Sequence, residues 1–210
     1  MSELRKQMKM YIELKGYSNI TTKYYLTHVS NFVKHYKKSP DLLGKKEICE
    51  YLHYCITEKH LTEGYIGPIY TVLKIFYAKV LNQIWDVNRI PRIKERRRLP
   101  VVLYPQEITA IFDTTKNIKH KTILMTIYSG GLRVIEACNL KILDIDSKNM
   151  QIFIRQGKGK KDRYTLLSKT NLQILRKYWK IYQPKKYLFS GRYRTDSITP
   201  RSVQEYLKRL

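Results

Sequence analysis

Residues 128–140 read "YSGGLRVIEACNL": a glycine pair, one arginine, and a glutamate three places further on, set in an otherwise apolar run. Gly130-Gly131 is a helix-ending signal, so the buried-looking run "IKHKTILMTIYSGG" at 118–131 should stop there. A short new helix is then expected from Leu132. Its residues Leu132, Val134, Ala137 and Leu140 predict a mostly buried element, in which Arg133 is costly unless an anion meets it. Glu136 alone can serve as that anion, as an i,i+3 partner adding a few tenths of a kcal/mol. A phosphate is the other candidate.

Downstream, "MQIFIRQ" (150–156) and "DRYTLLS" (162–168) are short and rich in β-branched and aromatic residues, and "GKGKK" (157–161) separates them. This spacing predicts a hairpin with a basic, glycine-loosened tip. The tip is no nucleotide-binding loop, which needs GxxxxGK with Ser or Thr and a helix behind it. It is either a solvated turn or a place where backbone and Lys158 approach a phosphate closely. "NLQILRKYWKIYQ" (171–183) returns to helix, "KYLFSG" (186–191) is a candidate third strand, and "TPRSVQEYLKRL" (199–210) opens a helix with Thr199 as cap and Pro200 in its first position.

Upstream, "YPQEITAIFDTT" (104–115) opens a helix on Pro105. Four segments before it carry helical periodicity: 4–16, 21–38, 45–60 and 62–82, with Ser18 or Thr21 as a cap for the second. They predict a four-helix domain over 1–85. "NRIPRIKERRRLP" (88–100) then places two prolines around a basic run that includes Arg96, Arg97 and Arg98. Such a composition suits a solvated linker, here bounded at 86–100, with the second domain at 101–210.

Charge points to the partner. The formal net charge is +24, with 13 basic against 8 acidic residues before Arg89, 6 against 1 from Arg89 to Pro100, and 22 against 8 beyond. Self-repulsion on this scale does nothing for folding, and nucleic acid is its natural counterpart. No stretch approaches the roughly 20 apolar residues of a membrane span, and the N-terminus has no signal-type apolar core, so a cytoplasmic protein is expected. Cys49, Cys55 and Cys138 lack metal-site spacing and are expected to be buried thiols. RNA binding has only the charge in its favour, with no RNP-type strand or KH loop.

"RRLPVVLYPQEITAIF" (97–112), "YSGGLRVIEACNL" (128–140) and "RQGKGKKDRY" (155–164), in this order, resemble the tyrosine recombinase family of phage-type integrases and Xer-like recombinases. The resemblance covers the whole chain. It implies a mainly α fold with a small antiparallel β-sheet: a SAM-like core-binding domain of four helices, then an α+β catalytic domain. It also implies a clamp on double-stranded DNA, together with other recombinase protomers, and strand cleavage through a 3′-phosphotyrosine. No metal, cofactor or small-molecule substrate is expected. By motif matching, Arg133 takes the role of the first catalytic arginine, stabilising charge on the non-bridging oxygens, and Lys158 protonates the leaving 5′ oxygen. Glu136 supports Arg133, while Arg96, Arg97, Arg98, Lys160, Lys161 and Arg163 are expected on DNA.

Two departures qualify the resemblance. Ile135 stands where the family's LRxSE motif has serine, and the H-x-x-R segment and nucleophilic tyrosine that follow the hairpin have no counterpart. None of the five histidines has Arg three places on, and the last tyrosine is Tyr206. The expectation is a chain cut short inside its catalytic domain, inactive alone, with apolar surface exposed near Ile152, Ile154, Leu166 and Trp179. A non-catalytic DNA-binding module is the alternative.

Overall fold

The computed structural model describes residues 3–86, 90–91, 99–157, 161–193 and 195–210. The chain divides into two units, Met1–Pro100 and Val101–Leu210. Of the expected linker, residues 86, 90–91 and 99–100 are described, and Ile90 is not solvated but buried in the core of the first unit; Arg96, Arg97 and Arg98 lie outside the described residues, as do Lys158 and Lys160.

In the first unit, α1 (Glu3–Leu14), α2 (Asn19–Tyr36), α3 (Lys45–Thr57) and α4 (Glu63–Ile75) follow the predicted periodicities. Ser18 caps α2, its side chain accepting from the Thr21 backbone N–H. Met8, Ile12, Phe32, Ile48, Tyr51, Ile69 and Phe76 meet in one core. The fourth segment is less regular than expected. Pro68 sits inside α4, where it removes one intrahelical hydrogen bond, and the helix widens into a π-helical turn over Phe76–Val80.

The second unit begins with α5 (Pro105–Thr114) and α6 (Ile118–Gly130). Gly131, at φ +57°, turns the chain out of α6 and into α7 (Val134–Asn139). A left-handed residue is needed there, and glycine adopts it without steric cost. Strands β1 (Ile145–Asp146), β2 (Gln151–Ile154) and β3 (Arg163–Leu166) form an antiparallel sheet in the order β1-β2-β3. Helices α8 (Lys169–Tyr182) and α9 (Pro200–Leu207) complete the described elements, with Thr199 capping α9 ahead of Pro200 as predicted.

Three expectations need correction. The third strand is Ile145–Asp146, not 186–191. Segment 186–191 splits its backbone bonds between two neighbours, Leu188 N–H donating to Leu140 O and Phe189 O accepting from Ile198 N–H, so no ladder forms. Ile152 and Ile154 are fully buried, because strand alternation turns them into the core formed with Ile123, Leu175 and Tyr178. Only Leu166, at 64%, and Trp179, at 49%, are exposed as foreseen. Of the thiols, Cys55 and Cys138 are buried, while Cys49 is half-buried. No described helix is long and apolar enough to cross a membrane.

Candidate functional site at the first turn of α7

Arg133 is the N-cap of α7, in extended backbone geometry with φ −71° and ψ 149°. Its own side chain makes no cap bond; Glu136, three residues on, supplies the carboxylate instead. Glu136 Oε2 accepts the Arg133 backbone N–H at 2.9 Å, and Oε1 accepts Arg133 Nη1 at 2.9 Å. Helix N-termini favour such a carboxylate, which satisfies an otherwise orphan amide.

A second arginine closes the arrangement from the sheet. Arg163, the first residue of β3, donates Nη1 to Oε1 at 2.9 Å and Nη2 to Oε2 at 2.8 Å. Fork-on-fork pairing of this kind is the strongest form of charge-assisted bonding between side chains. Glu136 is only 8% exposed, and each of its oxygens accepts two donors. Its carboxyl is held down to about 2, mainly by the Arg163 bonds; burial opposes this, and the Arg133 amide and guanidinium reinforce it.

The balance of charge is what makes this a site. Two guanidiniums share one carboxylate, leaving a net positive charge. Of Arg133's side-chain nitrogens, only Nη1 is engaged by Glu136, and the side chain is 53% exposed. It faces an open cavity of about 670 Å³, lined by Gly131, Leu132, Arg133, Lys161, Asp162 and Arg163. A cationic fork backed by a buried carboxylate on a helix N-terminus can seat an anionic oxygen without first reorganising.

The hairpin enters this geometry at its base. Gly157 N–H donates to Lys161 O at 3.0 Å, and Gln156 N–H to Asp162 Oδ1 at 2.7 Å. A Cβ on Gly157 would lie 2.7 Å from Arg163 Nη1 and 3.2 Å from Glu136 Oε1, so glycine is what lets β3's arginine reach α7. Lys161 is exposed on the cavity wall. Arg163, expected on DNA, lines the same cavity with both terminal nitrogens on Glu136. Ile135, in the family's serine position, is 49% exposed and fills no core space.

Sequence reasoning missed a neighbouring box of the same design. Asp144 Oδ2 accepts the Lys141 backbone N–H at 2.9 Å, and Oδ1 accepts Arg155 Nε at 2.8 Å. The signal was present: a basic residue with an acid three places later, as at 133 and 136. Tyr206 is committed elsewhere, stacked on the His120 ring at 3.9 Å. Among the described residues no cluster of His, Cys, Asp or Glu could hold a metal ion.

Comparison with known proteins bears on the chain as a whole. Residues 101–210 match the model described as "Phage integrase family", and residues 4–87 the model described as "Phage integrase, N-terminal SAM-like domain". A Sinorhizobium fredii protein named as an integrase/recombinase, y4qK, is 39% identical over 192 residues, covering 91% of this chain and 62% of that protein. Tyrosine recombinase XerA of Pyrococcus horikoshii is 30% identical over 214 residues, covering 99% of this chain and 72% of XerA. This chain spans 62% and 60% of the length of the two Sinorhizobium fredii relatives it matches. In fold it is similar to lambda integrase residues 75–356, solved as a dimer bound to a COC′ core site, with TM-score 0.78 at 17% identity over 98% of this chain and 78% of that one. XerH in a pre-cleavage complex with difH gives 0.67 at 17% identity, over 99% of this chain and 69% of that one.

Proposed function

The chain belongs to the phage integrase family of tyrosine recombinases, and from this we propose that it binds duplex DNA and seats a backbone phosphate on Arg133. The carrying observation is the Glu136-braced guanidinium facing an open, positively charged cavity. In the family's reaction a tyrosine oxygen attacks the scissile phosphorus, a 3′-phosphotyrosine forms, and the 5′ oxygen leaves with a proton. Arg133 would hold the non-bridging oxygens as charge builds on them, with Glu136 fixing its orientation. Lys158 would supply the proton from the hairpin tip. Arg163 serves this site by bracing Glu136, with Lys161 beside the phosphate path; Arg96, Arg97, Arg98 and Lys160 would add backbone contacts. Other protomers of the family on the same DNA are the proposed partners.

Residues 1–210 carry this charge-stabilising part of the chemistry without an H-x-x-R segment, and charge stabilisation does not replace an activated nucleophile. The chain alone is therefore proposed to bind without cleaving. Incubation with a nicked suicide duplex, followed by a denaturing gel, should leave the protein band unshifted while native-gel binding is retained. A covalent adduct would overturn the non-cleaving half of the reading, and absence of binding at low salt would overturn the other half.

A further inference from the structure

Helix α8 carries a feature the Arg133 site does not use. Its sequence, "KTNLQILRKYWKIY", contains no acid, and none occurs anywhere from Arg163 to Thr195. At 100° per residue, Lys169, Arg176, Lys177 and Lys180 fall within about 100° of the helix circumference, a stripe roughly 16 Å long. All four are exposed. The inward face, with Asn171, Ile174, Leu175 and Tyr178, is buried.

Three other helices neutralise such charges one turn away, while α2 and α6, also without acids, carry their lysines singly or in part off the stripe-forming spacing. Lys6 pairs with Glu3 and Lys9 with Glu13 on α1, Lys46 with Glu50 on α3, and Arg201 with Glu205 on α9. On α8 the spacing instead brings like charges together: Lys180 lies one turn from both Arg176 and Lys177, which works against the helix. No ion pair joins any of the four to another described residue. Trp179, 49% exposed, and Ile181, 66% exposed, flank the stripe and add apolar contact area beside the cations.

We propose that this stripe is a second DNA-binding surface, taking the sugar–phosphate backbone of a segment other than the one at Arg133. None of its residues lines the Arg133 cavity. The occupant follows from charge: an acid-free cationic stripe suits a polyanion, and duplex DNA presents about one charge per 1.7 Å to a stripe of this length. Trp179 and Ile181 are suited to sugar faces between phosphates. The inference rests on the reading that the chain binds DNA.

The test is the salt dependence of the full chain's binding to a duplex of about 40 base pairs, from about 50 to 200 mM salt. The variant Arg176→Gln/Lys177→Gln/Lys180→Gln should lower the slope of log affinity against log salt by about 2 to 3, at roughly 0.9 per lost phosphate contact. A matched control, Lys6→Gln/Lys9→Gln/Lys46→Gln, removes the same charge from cations already paired with Glu3, Glu13 and Glu50 and should lower the slope by about half as much or less. An unchanged slope in the α8 variant, or an equal drop in the control, overturns the proposal. So does loss of binding to anionic lipid vesicles without a change on DNA, which would assign the stripe to membranes. If the unmodified chain fails to bind DNA, the failure belongs to the proposed function.

Discussion

Two carboxylates in the second unit do the same local task with different outcomes. Glu136 caps Arg133 and Asp144 caps Lys141; each carboxylate lies three residues after the basic residue whose backbone N–H it accepts, and each receives an arginine from the hairpin, Arg163 opening β3 and Arg155 following β2. Both are buried. The glutamate has one more methylene, and its Oε1 also takes Arg133's own guanidinium. Asp144 receives one guanidinium, that of Arg155, and Glu136 receives two; Arg155 and Arg133 are alike half in solvent, so what separates the boxes is the second cation at Glu136. A common capping device thus ends as a structural tie at Asp144 and as a braced cation at Glu136.

The largest expected effect is at Glu136. Glu136→Ala leaves two guanidiniums without their counter-charge and frees the α7 amide, and should cost about 3 to 5 kcal/mol of unfolding free energy. Urea titration measures it. The pH dependence carries the same signature: the Glu136 carboxyl lies at about 2 when folded, against an ordinary 4.5, so its contribution is full above about 4.5 and is lost as pH falls toward 2. Glu136→Gln should flatten that part of the stability profile.

Asp144→Ala should be the next most severe, at about 2 to 3 kcal/mol, since one arginine and one cap amide lose their acceptor. Its affinity for duplex DNA should match the parent's within about twofold, measured where both variants are folded. Equal loss of DNA affinity in Asp144→Ala and Glu136→Ala would erase the distinction between the two boxes.

Much of this is legible in the sequence. Helical periodicity, the Ser18 and Thr199 caps and the Gly130-Gly131 stop are local signals, and local sequence determines them. The Arg133–Glu136 pair was readable because an i,i+3 spacing brings the two residues together. Arg163's commitment to Glu136 was not, because it depends on hairpin register and on Gly157 leaving room, both set by tertiary packing. The short strand Ile145–Asp146 escaped for a related reason: two residues carry no periodicity, and only pairing with Ile152 and Gln151 defines them. Burial of Ile152 and Ile154 is not legible in the sequence, because the cover over them comes from α6 and α8 through tertiary packing.

The central claim is that Arg133 is held for an anion and is not itself part of the tie. Arg133→Ala, measured for folding and DNA affinity in the same buffer, tests it most directly. Arg163 still satisfies Glu136 in this variant, so stability should fall by no more than about 1 kcal/mol, while duplex affinity falls about tenfold and the salt slope drops by about 1. A loss of stability as large as that of Glu136→Ala, with DNA affinity unchanged, would make Arg133 a structural residue and contradict the account.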